Sequence, residues 1–165
     1  MRPTPLAVLL LSPLLFAAPA AQAKDLRKRF GVGFTEQVGG FPSIAVRYGL
    51  PMPNEVMNLQ VELAAGFFAD GDDTTTDGVS AGGRLLYALV AEDNMNLYAE
   101  AGLGWNSVAG DNALRVQPGL GVQFFFFGLE NLGFSADWGI CIDLGKPTGV
   151  ATWSSAPGLG LHYYF

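Results

Sequence analysis

The feature that most constrains this chain is a side-chain period of two, sustained through nearly all of it after residue 30. Leu59, Val61, Leu63, Ala65 and Phe67 fall on one face, opposite Gln60, Glu62, Ala64 and Gly66. Val79, Ala81, Gly83, Leu85, Tyr87 and Leu89 stand against Ser80, Gly82, Arg84, Leu86 and Ala88. The clearest run sets Leu114, Val116, Pro118, Leu120, Val122, Phe124 and Phe126 against Arg115, Gln117, Gly119, Gly121 and Gln123. Successive side chains of a strand point to opposite faces, whereas a helix repeats near 3.6 residues. The chain therefore reads as all-β.

Eight strands are expected, at 30–38, 41–50, 55–68, 79–90, 96–106, 113–127, 133–143 and 156–165. Several exceed the usual soluble strand of about five or six residues and suit a membrane crossing of about nine to eleven. The connections alternate. Those at 51–54, 91–95 and 128–132 are tight, while those at 69–78, 107–112 and 144–155 are polar and mostly longer. The short first hairpin near 38–40 departs from that rhythm. Short turns at one end and longer loops at the other are the topology of an outer-membrane barrel. Pro118 interrupts a central strand, where it removes a ladder hydrogen bond, and a bulge is expected there.

The polar face decides which way the barrel is turned. It is mostly Gly, Ala and Ser, with sparse charges, which suits the filled interior of a narrow eight-strand barrel better than a solvated surface. Along successive strands it carries Arg47, Glu62, Arg84, Glu100, Arg115 and Asp137, so the sign alternates. These six are expected to form a structural lumen network, because a buried charge must be paired. Phe41, Phe67, Phe68, Trp105 and Trp153 are expected at an outer interfacial girdle. Tyr48, Tyr87, the 124–127 phenylalanines, Phe134, Tyr163 and Phe165 are expected at an inner one.

Residues 1–23 read as a secretory signal peptide. Arg2 precedes an apolar run from Leu6 to Phe16, and Ala21-Gln22-Ala23 closes it in the small-x-small manner. The remaining 24–165 is expected to be one barrel domain. Cys141 is the single cysteine, so no internal disulfide can staple the fold. The net charge of −6 argues against nucleic acid, whose phosphates need a basic patch.

The closing strand runs Leu159, Leu161, Tyr163, Phe165. An alternating strand ending in a terminal Phe resembles the signal read by the barrel assembly machinery of Gram-negative bacteria. The stretch from 24 onward resembles the small eight-stranded outer-membrane barrels of the OmpA-like, OmpX-like and OmpW-like type. That resemblance implies residence in the outer membrane, outer-membrane lipids and the assembly machinery (through Phe165) as partners, and a monomer. The charge pairs favour a closed lumen and so a non-enzymatic structural or surface-exposed barrel, with a narrow pore or transporter for small or hydrophobic molecules as the alternative. Some such barrels are enzymes acting on lipid A, which would require a His with a nearby Ser and an acid. The sole histidine, His162, sits toward the other rim with no Ser in its strand, so no catalytic residue is assigned. Asp70, Asp72, Asp73 and Asp77 lack calcium-loop spacing, so no metal or other cofactor is expected. A soluble, lipocalin-like binder is the competing fold, with the apolar face turned inward.

Overall fold

Alternation of small and bulky side chains over long stretches lets neighbouring hairpins pair in a fixed register, because a one-residue slip would exchange the two faces. The computed structural model describes residues 24–36, 41–53, 58–69, 77–145, 148–152 and 158–165. The expected leader at 1–23 lies outside the described residues. The strands are β1 (Phe30–Thr35), β2 (Ser43–Gly49), β3 (Leu59–Phe68), β4 (Gly78–Ala91), β5 (Met95–Val108), β6 (Asp111–Phe125), β7 (Leu132–Gly145), β8 (Gly149–Thr152) and β9 (Gly158–Tyr164). Each strand from β1 to β6 pairs antiparallel with the next. β9 then pairs with both β7 and β1, which closes an eight-stranded barrel.

The barrel is turned as the polar face required. Phe34, Leu63, Leu85, Leu120, Trp138 and Tyr163 are exposed on the outside. Arg47, Glu62, Arg84, Gln123, Asp137 and His162 are buried inside. Leu120, Leu161 and Tyr163 face outward, and Val122 follows the same side, so the competing fold with an apolar interior is excluded. The apolar exterior and ionic interior make this the fold of a small outer-membrane barrel.

Three expectations about strands and turns change. The polar stretch at 107–112 is not a loop: β5 and β6 run on to pair Val108 with Asp111. Only Ala109 and Gly110 turn, at φ 56° and 82°. Two positive-φ residues between paired strands are the type I′ geometry, whose twist matches that of the strands. The expected loop at 144–155 contains β8, which pairs with the outer part of β7 beyond β9. Pro118 makes no bulge. The β6–β7 register is the same on both sides of it, Val116 with Ile142 and Gly119 with Gly139, with only the rungs between missing. On its other side Pro118 pairs with Ala101 without a break, so its missing N–H falls on the β7 side. The bulge lies instead in β4, where the register shifts between Ala88 and Val90, leaving Leu89 and Val90 both outward.

β4, β5 and β7 are 14 residues long and β6 is 15, whereas β1, β2 and β9 have six or seven. At about 3.3 Å per residue and a tilt near 45°, fourteen residues rise about 33 Å, which exceeds a hydrocarbon core of about 30 Å. The β4–β7 wall is therefore the tall side of the barrel. Aromatic pairs mark both ends of the exterior. Phe41 meets Phe68 edge-on at 5.0 Å near one end, and Phe126–Phe134 (5.2 Å) and Tyr163–Phe165 (5.1 Å) do so near the other. Phe125 leaves the expected girdle: it is buried and faces inward. Trp153 lies outside the described residues.

Candidate functional site: the ionic lumen

Two of the lumen contacts follow from hairpin register alone. Arg47 on β2 stands directly opposite Glu62 on β3, and Glu62 stands directly opposite Arg84 on β4. All three point inward because they share the parity of the small-residue face. Arg47 Nε donates to Glu62 Oε2. Arg84 Nε donates to Glu62 Oε1 at 2.6 Å and its Nη2 to Oε2 at 3.2 Å, so one carboxylate is clasped by two guanidiniums.

Arg84 is the hub. Its Nη1 donates to Glu100 Oε2 at 2.6 Å and lies 3.3 Å from Asp137 Oδ2, which reaches across from β7. Its Nη2 donates to Thr35 Oγ1 at 3.3 Å. Tyr98 Oη donates to Asp137 Oδ1, and Arg47 Nη2 donates to Ser135 Oγ at 3.4 Å. His162 Nε2 lies 3.4 Å from Glu62 Oε2. These side chains come from β1, β2, β3, β4, β5, β7 and β9. The remaining barrel strand, β6, contributes an absence: a methyl at Gly121 would overlap both Asp137 Oδ1 and the Tyr98 ring. The cluster thus crosses the lumen from wall to wall with essentially no accessible surface.

Five of the six expected network residues meet here: Arg47, Glu62, Arg84, Glu100 and Asp137. Arg115 does not. It forms a separate two-pronged pair with Asp143, at 2.7 and 2.9 Å, in a less buried part of the lumen nearer the β5–β6 turn. Strand-to-strand sign alternation identifies the inward charges but not the partners of Arg115 and Asp137. It also leaves Tyr98, Thr35 and Ser135 out of the network, although all three sit at inward parity. His162, expected toward the rim, lies beside Glu62 in the cluster. Cys141 accepts a hydrogen bond from Gln117 at 3.4 Å. Among the described residues no group of three His, Cys, Asp or Glu could hold a metal ion. Asp70, Asp72 and Asp73 lie outside them.

Below the cluster a neutral layer continues the plug. Gln123 Nε2 donates to Tyr164 Oη at 2.7 Å, and Tyr164 donates to Gln60 Oε1 at 3.0 Å. Beneath that, the segment before β1 folds across the mouth. Leu26, the one apolar residue in a charged stretch, is fully buried against Phe125 and Tyr164. Its N–H is received by Asn58 Oδ1 at 3.3 Å, and Asn58 Nδ2 donates to the Lys24 carbonyl at 2.9 Å. Lys24 N donates to the Glu92 carbonyl at 3.0 Å and Lys28 N to that of Gly49 at 2.7 Å. At the surface of this cap the Arg27 hydrogen bond holds the Asp25 carboxyl below its ordinary value.

No family model matches the chain, and none of the curated proteins does. Among solved structures it is similar to a major outer membrane protein from Thermus thermophilus, at 13% identity and a TM-score of 0.48, covering 83% of this chain and 97% of that one. It is also similar to the outer membrane protein Ail of Yersinia pestis, at 14% identity and a TM-score of 0.44, with the same coverages.

Proposed function

We propose that this protein is a closed, non-conducting barrel of the bacterial outer membrane, without catalytic activity, that holds its outer hairpins at the cell surface on a rigid, ion-paired core. The observation that carries this reading is the Arg84 hub, tied to three carboxylates from three other strands. A conducting lumen needs a continuous water column. Here the cross-section at Arg84 is filled by side chains, and Leu26 caps the same lumen again at one mouth. Moving the hub aside would leave buried charges unpaired, which typically costs about 3–5 kcal/mol. The partners that suit this reading are outer-membrane lipids around the apolar exterior and the barrel assembly machinery at the strand ending in Phe165. A monomer suits it too, since closure pairs each of β1 to β7 and β9 on both sides. Planar-bilayer recording of the purified barrel tests the closed state. The expected trace is flat, and discrete unitary steps in the parent protein would replace this reading with that of a narrow pore.

A further inference from the structure

The connections at the mouth that Leu26 closes are not alike. The β4–β5 turn carries Glu92, Asp93 and Asn94, all exposed, and the described part of the β2–β3 connection carries Pro51, Met52 and Pro53. The β6–β7 turn instead runs Phe126, Phe127, Gly128, Leu129. Its three large apolar side chains are 57%, 95% and 50% exposed. Leu129 N donates to the Phe126 carbonyl at 2.9 Å and Gly128 takes φ 80°, the geometry of a type II turn with Phe127 at its corner. Apolar surface is continuous from the wall onto this turn. Phe126 packs edge-on against Phe134 at 5.2 Å, and Phe134 stands beside Phe124 on the outward side of β6 and β7. The polar residues that follow are held toward the cap. Glu130 Oε2 lies 3.9 Å from Lys24 Nζ, and Asn131 Oδ1 accepts from Arg29 Nη2 at 2.7 Å. The turn thus has an apolar side that prolongs the exterior and a polar side tied to the segment before β1.

We infer that the β6–β7 turn is a membrane anchor: it docks into the headgroup layer of the leaflet nearest the Leu26-capped mouth, while the β4–β5 turn stays in water. The partner is the lipid surface itself. Three large apolar side chains within four residues, joined to the lipid-facing wall, gain by leaving water, and aromatic rings favour the headgroup layer. The N–H groups of Leu129 and Leu132 are already bonded to the carbonyls of Phe126 and Leu129, each at 2.9 Å, so this part of the backbone needs less water. This inference rests on the membrane reading of the exterior, and its test separates the two.

Single-tryptophan proteins in vesicles read the depth of each position. In a Trp105→Phe, Trp138→Phe, Trp153→Phe background, either Phe127→Trp or Asp93→Trp is added. A third protein keeps Trp138 alone to report on the wall. Each is quenched by iodide present on both sides of the bilayer and by lipids brominated at the headgroup end of the acyl chain. Heat-modifiable gel mobility verifies that each variant is folded. Iodide is expected to quench Phe127→Trp about threefold less than Asp93→Trp, and brominated lipid to quench only the former of the two. Adding Phe126→Ser and Leu129→Ser is expected to abolish that difference. Equal iodide quenching at the two positions puts the turn in water, open to a protein partner, and refutes the anchor alone. A difference that survives the two serines assigns insertion to the introduced ring instead of the turn, and also refutes the anchor alone. A Trp138 reached by iodide and untouched by brominated lipid refutes the membrane reading itself.

Discussion

Arg84 on β4 and Asp137 on β7 approach to 3.3 Å although β5 and β6 stand between their strands in the wall. Their contact runs across the lumen, not along the sheet. The barrel is narrow enough for opposite walls to touch, and this makes the charged residues a crosspiece as well as a filling.

That geometry sets the cost of removing the hub. Arg84→Ala leaves Glu62, Glu100 and Asp137 facing Arg47 alone, and loss of one partner from a buried ionic group typically costs about 3–5 kcal/mol. The expected result is a lower urea midpoint in detergent, partly restored by adding Glu62→Gln. Parent-like stability of Arg84→Ala would mean that water, not pairing, solvates these groups.

Gly121 makes a sharper test, because it carries no charge. Gly121→Val should push Tyr98 and Asp137 out of contact and cost about 1–3 kcal/mol by overpacking. Gly149 has open space where a side chain would go, so Gly149→Ala should stay within about 0.5 kcal/mol of the parent. Equal effects at the two positions would contradict the filled lumen.

The β5–β6 turn offers a gain. Ala109 holds a left-handed backbone at φ 56°, which costs an ordinary L-residue about 1–2 kcal/mol, and Asn before Gly is favoured in this turn. Ala109→Asn should raise stability by up to about 1 kcal/mol in the same assay. A destabilised Ala109→Asn would show that the hairpin does not keep this turn.

Orientation is testable at the same turn. In a Cys141→Ser background, Gly110→Cys should react with a membrane-impermeant maleimide on intact cells, and Asp93→Cys, in the tight β4–β5 turn, should react only after lysis. The reverse pattern would put the tight 91–95 turn outside the cell and the β5–β6 hairpin in the periplasm, contrary to the rule that short turns face inward.

Parity makes the strands, the outward face and the inward charges readable in the sequence, since each strand's pattern is local. What stays hidden is what depends on closure. Asp137 finds Arg84 only when β9 joins β7 to β1, and His162 comes beside Glu62 only when the C-terminal strand lies in the same wall as β1. The polar residues at 107–112 read as loop because a strand that projects beyond the bilayer is wet on both faces and loses its apolar signature. β8 escapes for a related reason: it is four residues long, too short to establish a period.

The alternating apolar face is expected to lie in lipid while its charged counterpart is sealed inside, and Trp138 reports on this directly. It sits on the outward face of β7, one residue from the buried Asp137. In a Trp105→Phe, Trp153→Phe background in vesicles, its fluorescence is expected to be quenched strongly by lipids brominated along the acyl chain and hardly at all by aqueous iodide. Quenching by iodide with no effect of brominated lipid would place this face in water and rule out a lipid-facing exterior.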